Sequence, residues 1–166
     1  LMTHTSGINV SGTESSHGIR FSENGAINWT VARANLSGNT GLNSFNYNNA
    51  NYVLLAGIIC KVTGKSYAAN LKSRIVKPLH LRHTYIYSSI PRSKTDAISY
   101  LYRHGKNYRS AAYANANVVS QLPGAGNMFS TAGDYYKIQQ GLYNGKILSA
   151  NQFSYMSHLN SKVNTY

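Results

Sequence analysis

The chain of 166 residues has few acidic residues, one cysteine and no long apolar run, and each shortage excludes a class of protein. Four Asp and Glu stand against sixteen Lys and Arg, so the formal net charge is +12. The single cysteine, Cys60, excludes a disulfide within the chain. No run approaches the roughly 20 apolar residues of a membrane span. A hydrophobic content of 42% nevertheless indicates one globular domain with a core.

The positive charge favours a polyanionic environment: nucleic acid, an anionic membrane or an anionic wall polymer. Lys and Arg are scattered, and the sequence has no helix-turn-helix, zinc-finger or ribonucleoprotein-sheet motif. We therefore predict no specific nucleic-acid recognition, although a basic nucleic-acid-binding module stays as a third hypothesis. The six histidines lack any tight ligand spacing, so we expect neither a metal site nor a cofactor.

The clearest helical pattern follows the stretch FNYNN. Apolar spacing predicts a helix that starts near Asn49, which caps it, and that ends at Gly64 in a left-handed conformation. A second helix, roughly residues 67–76, has Ser66 as its cap and is stopped by Pro78.

The other segments give weaker patterns. Residues 1–44 are rich in Gly, Ser, Thr and Asn, and we expect a short helix end followed by loop. The stretch AISYLYRHGKNYRSA is compatible with a β-hairpin that turns at residues 104–107. A further helix, about residues 132–143, is predicted with Ser130 or Thr131 as its cap, and SANQFSYMSHL begins another.

Three stretches together resemble a known family: LMTHTSGI (1–8), the block from FNYNNANY to LRHT (45–84), and GAGNMFSTAGDYYKIQQGLYNGKILS (124–149). They are similar to the serine β-lactamase-like proteins, which include class C β-lactamases, D,D-peptidases and related esterases. The resemblance covers most of the chain, although PLHL replaces the usual Pro-Leu-Gly-Met. It implies a mainly α structure, in which residues 1–166 are a partial helical subdomain and the β-sheet domain is largely missing. Residues 1–44 would be its loop-rich N-terminal segment.

The family works with three motifs, and this sequence contains the second. Tyr47 and Asn49 match Tyr-x-Asn, whereas no Ser-x-x-Lys precedes residue 45 and no Lys/His-Ser/Thr-Gly strand motif follows the last helix. The chain therefore resembles an internal segment of a serine hydrolase. We expect the segment alone to be inactive.

The resemblance implies catalytic roles for these two residues. A free phenol has a pKa of about 10, and nearby ammonium groups favour the phenolate, so Tyr47 would relay a proton from the serine to the leaving group. Asn49 would hold the substrate's acyl-side amide and steady the motif lysine. The residues alone also allow a structural interpretation, in which Asn49 caps the helix and Tyr47 packs nearby. Gly124, Ala125 and Gly126 lie near the cleft rim in the family and are candidate substrate-binding residues.

The remaining candidates are assigned structural roles. His4 and Ser6 are interpreted as turn residues that satisfy loop backbone, not as a Ser–His pair. Cys60 lies in an apolar stretch and is interpreted as a small core residue. The hydroxyl of Ser130 or Thr131 is explained by helix capping.

The leading functional hypothesis is an exported bacterial serine hydrolase, extracellular and associated with the cell wall. Its substrate would carry a D-alanyl amide or ester, as in peptidoglycan stems or D-alanylated teichoic acid, or would be a β-lactam, cleaved through an acyl-serine intermediate. The alternative is a non-catalytic penicillin-recognising or wall-polymer-binding homologue. Because apolar surface meant for missing parts would be bare, we also expect self-association.

Overall fold

The structure is a computed structural model that describes residues 1–11, 19–37, 43–86, 100–109 and 116–158. Six α-helices, one π-helical turn and four short strands lie in these residues. In chain order they are α1 (Glu23–Ser37), α2 (Ala50–Thr63), α3 (Tyr67–Leu71), the π-helical turn (Lys72–Val76), β1 (Tyr85–Ile86), β2 (Tyr100–Arg103), β3 (Lys106–Arg109), α4 (Ala116–Ser120), β4 (Met128–Phe129), α5 (Ala132–Tyr143) and α6 (Ala150–Ser157).

Helix α2 is the central element, and it confirms the predicted helix between Asn49 and Gly64. Gly64 has a φ of 64°, and its amide donates to the Cys60 carbonyl at 2.9 Å, which closes the last turn. Val53 and Ala56 are buried on the core side of the helix. The core position of α2 fixes the direction of the loop that precedes it.

The second predicted helix is also present, but it changes geometry halfway. Ser66 caps α3 by accepting from the Ala69 amide at 3.1 Å. From Lys72 to Val76 the chain continues as a π-helical turn, with wider hydrogen-bonded rings. The helical stretch ends before Pro78, as the sequence predicts.

The expectation of loop after a short helix end in residues 1–44 is wrong for α1, a helix of 15 residues. Its sequence shows no strong apolar period, and packing on α2 supplies the stability that local propensity lacks. The two helices approach closely at Gly57, where an added Cβ would lie 2.8 Å from Ile27 Cγ2. Thr30 is buried in this contact and donates its hydroxyl to the Ala26 carbonyl at 2.9 Å.

A β-hairpin is present where the sequence predicts one, but its turn is tighter. Strands β2 and β3 pair in antiparallel register, and only His104 and Gly105 connect them. Both residues have positive φ, 50° and 74°, as a two-residue hairpin turn of the I′ type requires. The last two of the four predicted turn residues therefore belong to β3.

Parts of two predicted elements lie outside the described residues. These are residues 12–18 and 38–42 of the expected N-terminal loop, and residues 97–99 and 110–111 of the expected hairpin.

The two C-terminal helices confirm their predicted positions. Thr131, not Ser130, caps α5 by accepting from the Asp134 amide at 3.3 Å. Ser149 caps α6 within a capping box: its hydroxyl oxygen accepts from the Gln152 amide, and its own amide donates to Gln152 Oε1. Strands β1 and β4 pair in antiparallel register, which ties the loop after the π-helical turn to the start of α5.

Candidate functional site

The structure brings Tyr47 and Asn49 together at the start of α2. The Tyr47 hydroxyl donates to Asn49 Oδ1 at 3.1 Å. Tyr47 is 62% exposed, so its phenol is open to a molecule approaching from solvent. Both side chains belong to one loop that runs directly into the buried first turn of α2. The pair is therefore an accessible polar group on a rigid support.

Asn49 does not cap α2 through its side chain, which corrects the structural prediction. Its backbone is already helical, with φ −59° and ψ −25°, and its side chain makes no capping hydrogen bond. Asn48 takes that part instead, because its Oδ1 accepts from the Ala50 amide at 2.9 Å. Capping thus falls to the middle residue of Tyr-x-Asn, and the Asn49 side chain is directed to Tyr47.

Two asparagines that the sequence analysis did not single out fix the loop. Asn48 Nδ2 donates to the Val10 carbonyl at 3.0 Å. Asn51, which is fully buried, donates from Nδ2 to the Asn48 carbonyl at 2.9 Å and accepts from the Ser6 hydroxyl. The Ser6 hydroxyl also accepts from the Ile8 amide at 3.2 Å, which confirms its predicted role of satisfying loop backbone. The contacts with Val10 and Ser6 join residues about forty positions apart, so sequence spacing gave no signal for them.

His4 is a further residue whose importance the sequence analysis underestimated. It is buried, and its Nδ1 accepts from the Asn48 amide at 3.2 Å. Its ring centroid lies 4.4 Å from that of Tyr47, 5.2 Å from Tyr52 and 6.1 Å from Phe45. Burial lowers the pKa of His4, which favours the neutral ring that an Nδ1 acceptor requires. The predicted turn residue is thus surrounded by the rings next to the site.

The glycine loop at residues 124–126 packs against α2. Gly124 has a φ of 78°, and an added Cβ would lie 2.8 Å from the Tyr52 carbonyl oxygen and 3.0 Å from Ala56 Cβ. Only glycine fits this approach without a shift of the helix. Ala125 and Gly126 continue the turn, and both amides donate to one carbonyl, that of Leu122. The loop therefore begins beside the first turns of the helix that carries Tyr47 and Asn49 at its start.

Asp134, in the first turn of α5, is the centre of a buried polar cluster. Its Oδ2 accepts from the His83 amide at 2.7 Å and from the Thr84 hydroxyl at 3.1 Å, and its Oδ1 accepts from Lys137 Nζ at 3.1 Å. Burial opposes the charged form, but these three hydrogen bonds outweigh it and lower the pKa of the carboxyl. As an acidic residue in the first turn of α5, Asp134 also interacts favourably with the helix dipole. The structure makes it the link between α5 and the loop before β1.

Cys60 is half-buried, and it has no property of a nucleophile. Its Sγ lies 3.8 Å from Glu23 Oε1, as a donor to that carboxylate. Burial and the neighbouring Glu23 charge raise the pKa of the thiol, which disfavours the thiolate. Glu23 also accepts from the Tyr67 and Ala68 amides at 2.7 and 3.1 Å, so it joins α1 to the start of α3.

The described residues contain no group of three or more His, Cys, Asp and Glu that could hold a metal ion. Among the same residues, no helix is both long and apolar enough to cross a membrane.

Comparison with known proteins places these features in a family. The family model described as Beta-lactamase matches residues 1–165. A teichoic acid D-alanine hydrolase of Staphylococcus aureus is 38% identical over 103 residues, which are 62% of this chain and 25% of the relative. The chain thus spans about a quarter of the length of the curated relatives that it matches.

Solved structures agree with this assignment. FmtA from Staphylococcus aureus superposes with a TM-score of 0.76 and 29% identity, over 92% of this chain and 40% of that one. The D-amino acid amidase of Ochrobactrum anthropi SV3 has a TM-score of 0.71 and 24% identity, over 92% of this chain and 46% of that one. At 24% identity, the similarity to the amidase shows a common fold only. The described structure is therefore mainly helical and has a β-lactamase-like fold.

Proposed function

Because the chain belongs to the beta-lactamase family of serine hydrolases, we propose that it supplies Tyr47 and Asn49 to a bacterial enzyme that cleaves D-alanyl ester or amide bonds of the cell wall. One observation carries this proposal. The exposed Tyr47 hydroxyl and Asn49 Oδ1 lie 3.1 Å apart, in a loop fixed by the buried start of α2. An exposed phenol hydrogen-bonded to an amide, at the position of the family's second motif, is an arrangement that can accept and return a proton.

The proposed reaction passes through an acyl-serine. A serine hydroxyl is a poor nucleophile until a base removes its proton. After the Tyr47 hydroxyl has given up its own proton to solvent, its oxygen takes the serine proton while the serine oxygen attacks the carbonyl carbon. The same proton then passes to the departing alcohol or amine, and water later hydrolyses the acyl-serine. Asn49 offers both amide donors and a carbonyl acceptor, so it can orient the phenol and hydrogen-bond the acyl-side amide of a peptide or β-lactam, or the ammonium group of a D-alanyl ester.

The serine, the lysine and the strand motif are proposed to lie on other parts of the natural protein. The chain covers 40% of the FmtA structure, and no Ser-x-x-Lys occurs in the sequence. We propose accordingly that the β-sheet domain also lies there, and that these 166 residues form one partial helical subdomain without activity of its own. Residues 124–126 are proposed to shape the substrate site, since Gly124 packs on the first turns of α2.

Teichoic acid carrying D-alanyl esters is the substrate class we favour. Two observations support it: one relative is a teichoic acid D-alanine hydrolase, and the formal charge of +12 attracts a polyanionic polymer. Peptidoglycan stems and β-lactams present related acyl groups and are the other proposed ligands. The corresponding location is extracellular, at the bacterial cell wall. The alternative is a wall-polymer-binding or penicillin-recognising homologue that has lost the chemistry, and the same basic charge supports binding without turnover.

The decisive experiment is Tyr47→Phe in the natural gene product, with acylation by a fluorescent penicillin and release of D-alanine from teichoic acid as readouts. Loss of the proton relay should lower the acylation rate by about a hundredfold or more. Unfolding free energy should change by only about 0.5–1.5 kcal/mol, because the ring keeps its packing and one hydrogen bond is lost.

Tyr155→Phe is the matched control, since Tyr155 is 88% exposed on α6. Its acylation rate should equal that of the wild type. Equal rates for Tyr47→Phe and the wild type would return Tyr47 to a structural role. Acylation of the isolated 166-residue chain that survives denaturation would mean that the nucleophile lies within it, contrary to the proposal.

A further inference from the structure

Little of the Tyr47 side chain is packed against the rest of the protein. Its side chain is 62% exposed, so burial does not fix the ring. A proton relay must nevertheless keep its oxygen within hydrogen-bond reach of two partners, and a misplacement of about 1 Å can cost a hundredfold in rate. Among the described residues, Asn49 contacts the hydroxyl and His4 contacts the ring, so both help to fix the position of the phenol.

His4 contacts the motif loop at successive residues. Its backbone carbonyl accepts from the Asn46 amide at 2.8 Å. Its ring packs on Tyr47 with a centroid separation of 4.4 Å and an interplanar angle of 30°. Its Nδ1 accepts from the Asn48 amide at 3.2 Å. One side chain thus fixes the backbone between Tyr47 and Asn49 and supports one face of the phenol ring.

His4 is itself anchored from both sides. Before it, the Met2 carbonyl accepts from the Tyr52 hydroxyl at 3.0 Å. After it, the Ser6 hydroxyl donates to Asn51 Oδ1. Both partners belong to the first turn of α2, so His4 has the same rigid support as the loop that it contacts. The backbone of His4 has a φ of 55°, a left-handed conformation that is uncommon outside glycine and is adopted most often by Asn, Asp and His.

We infer that His4 is a positioning residue, which holds Tyr47 and Asn49 in the geometry needed for proton transfer; this inference rests on the proposed function. The ring acts as a neutral acceptor, with its proton on Nε2 and the Nδ1 lone pair on the Asn48 amide. It touches no substrate atom and acts only through the loop. The turn HTSG (residues 4–7) therefore contributes to the reaction through His4, although it carries no reacting group.

Two substitutions tolerate the same backbone conformation and differ in whether they offer a hydrogen-bond acceptor to the Asn48 amide. His4→Asn keeps an acceptor at the atom that replaces Nδ1, and asparagine tolerates positive φ. His4→Gly tolerates the same φ and has no acceptor. We expect His4→Gly to slow the acylation step in the natural gene product by about tenfold to a hundredfold. His4→Asn should recover part of that rate, because it restores the acceptor for the Asn48 amide but not the ring that packs on Tyr47. Non-covalent binding of the penicillin should stay unchanged in both variants. His158→Asn, at the exposed end of α6, is the control.

Amide hydrogen exchange gives a readout that does not depend on activity. The Asn48 amide should exchange faster in His4→Gly than in His4→Asn, since only the second variant offers it an acceptor. The Asn46 amide should be protected in both, because its partner is the backbone carbonyl of residue 4. Residue-resolved exchange measured on the natural gene product distinguishes these two amides.

The outcomes are distinct. Slower acylation in His4→Gly with partial recovery in His4→Asn, together with the exchange difference at Asn48, supports the inference. Equal acylation rates in the two variants, or wild-type rates in both, overturn it, as does a loss of binding in place of a loss of rate. If the wild-type protein is not acylated at all, the proposed function fails. The exchange difference at Asn48 then still decides whether His4 holds the loop.

Discussion

Replacing Asp134 with asparagine tests whether one buried carboxylate joins α5 to the loop before β1. The carboxylate accepts from the His83 amide, the Thr84 hydroxyl and Lys137 Nζ at 2.7 to 3.1 Å, and only 2% of the residue is exposed. Asparagine has the same shape. Its single oxygen can replace Oδ2 as the acceptor for His83 and Thr84. Its NH₂ group then takes the place of Oδ1 and cannot accept a hydrogen bond from Lys137 Nζ.

The expected cost follows from these three contacts. Hydrogen bonds to a charged acceptor contribute about 1.5–3 kcal/mol, against about 0.5–1.5 for neutral pairs. Weakening the bonds from His83 and Thr84 therefore costs about 2 kcal/mol. The Lys137 side chain is 48% exposed, so solvent screening limits its loss to about 0.5 kcal/mol. We expect Asp134→Asn to lower the unfolding free energy by about 2–3 kcal/mol at pH 7.

The pH dependence has a defined sign. The hydrogen bonds lower the pKa of the folded carboxyl below its ordinary value of 3.8. A lowered pKa contributes stability that is fully present above the unfolded value and is lost as the pH falls through the folded value. Asparagine does not titrate. The difference between the wild type and Asp134→Asn should therefore be constant from pH 7 to about pH 5, and it should shrink as the pH falls below the ordinary value.

Urea unfolding of the natural gene product, followed by circular dichroism from pH 7 to pH 3, measures this difference. Lys137→Gln is the control, which removes only the exposed partner and should cost less than about 1 kcal/mol. A cost below about 0.5 kcal/mol for Asp134→Asn at pH 7 would refute the cluster as a source of stability. A cost that stays constant down to pH 3 would refute its assignment to the charged form.

Two further predictions concern packing. In α5, Gly141→Ala should lower the unfolding free energy by about 1–3 kcal/mol, because the new Cβ would lie 2.6 Å from Leu79 Cδ2. Gly133→Ala in the same helix meets no atom within 4 Å and should instead raise it by about 0.5–1 kcal/mol; thermal unfolding of both variants that gave the same sign would contradict this reasoning. The isolated 166-residue chain should form a discrete dimer in high salt, since Ile58 and Val62 leave 49% and 80% of their surface exposed and salt screens the charge repulsion. Sedimentation that shows only monomer at high salt would contradict the predicted self-association.

Elements whose start and stop signals lie within a few residues could be predicted from the sequence. The left-handed Gly64 that ends α2, the Ser66 cap of α3 and the hydroxyl cap of α5, predicted as Ser130 or Thr131, all act over one helical turn. Such signals are local, so the residues themselves fix the helix boundaries. The block that contains Tyr47 also indicated the family, because its residue types and spacings occur in a fixed order.

Tertiary contacts decided the rest. Helix α1 has weak local propensity and forms against α2, where Gly57 lets Ile27 approach. The Asn48 amide donates to His4, 44 positions earlier in the chain, and no periodicity within either segment predicts this contact. The sequence by itself therefore determined which residues resemble a catalytic motif. Only the folded chain decided that Asn49 contacts Tyr47 instead of capping the helix, because distant residues, His4 and Val10, hold Asn48, and Asn48 supplies the cap.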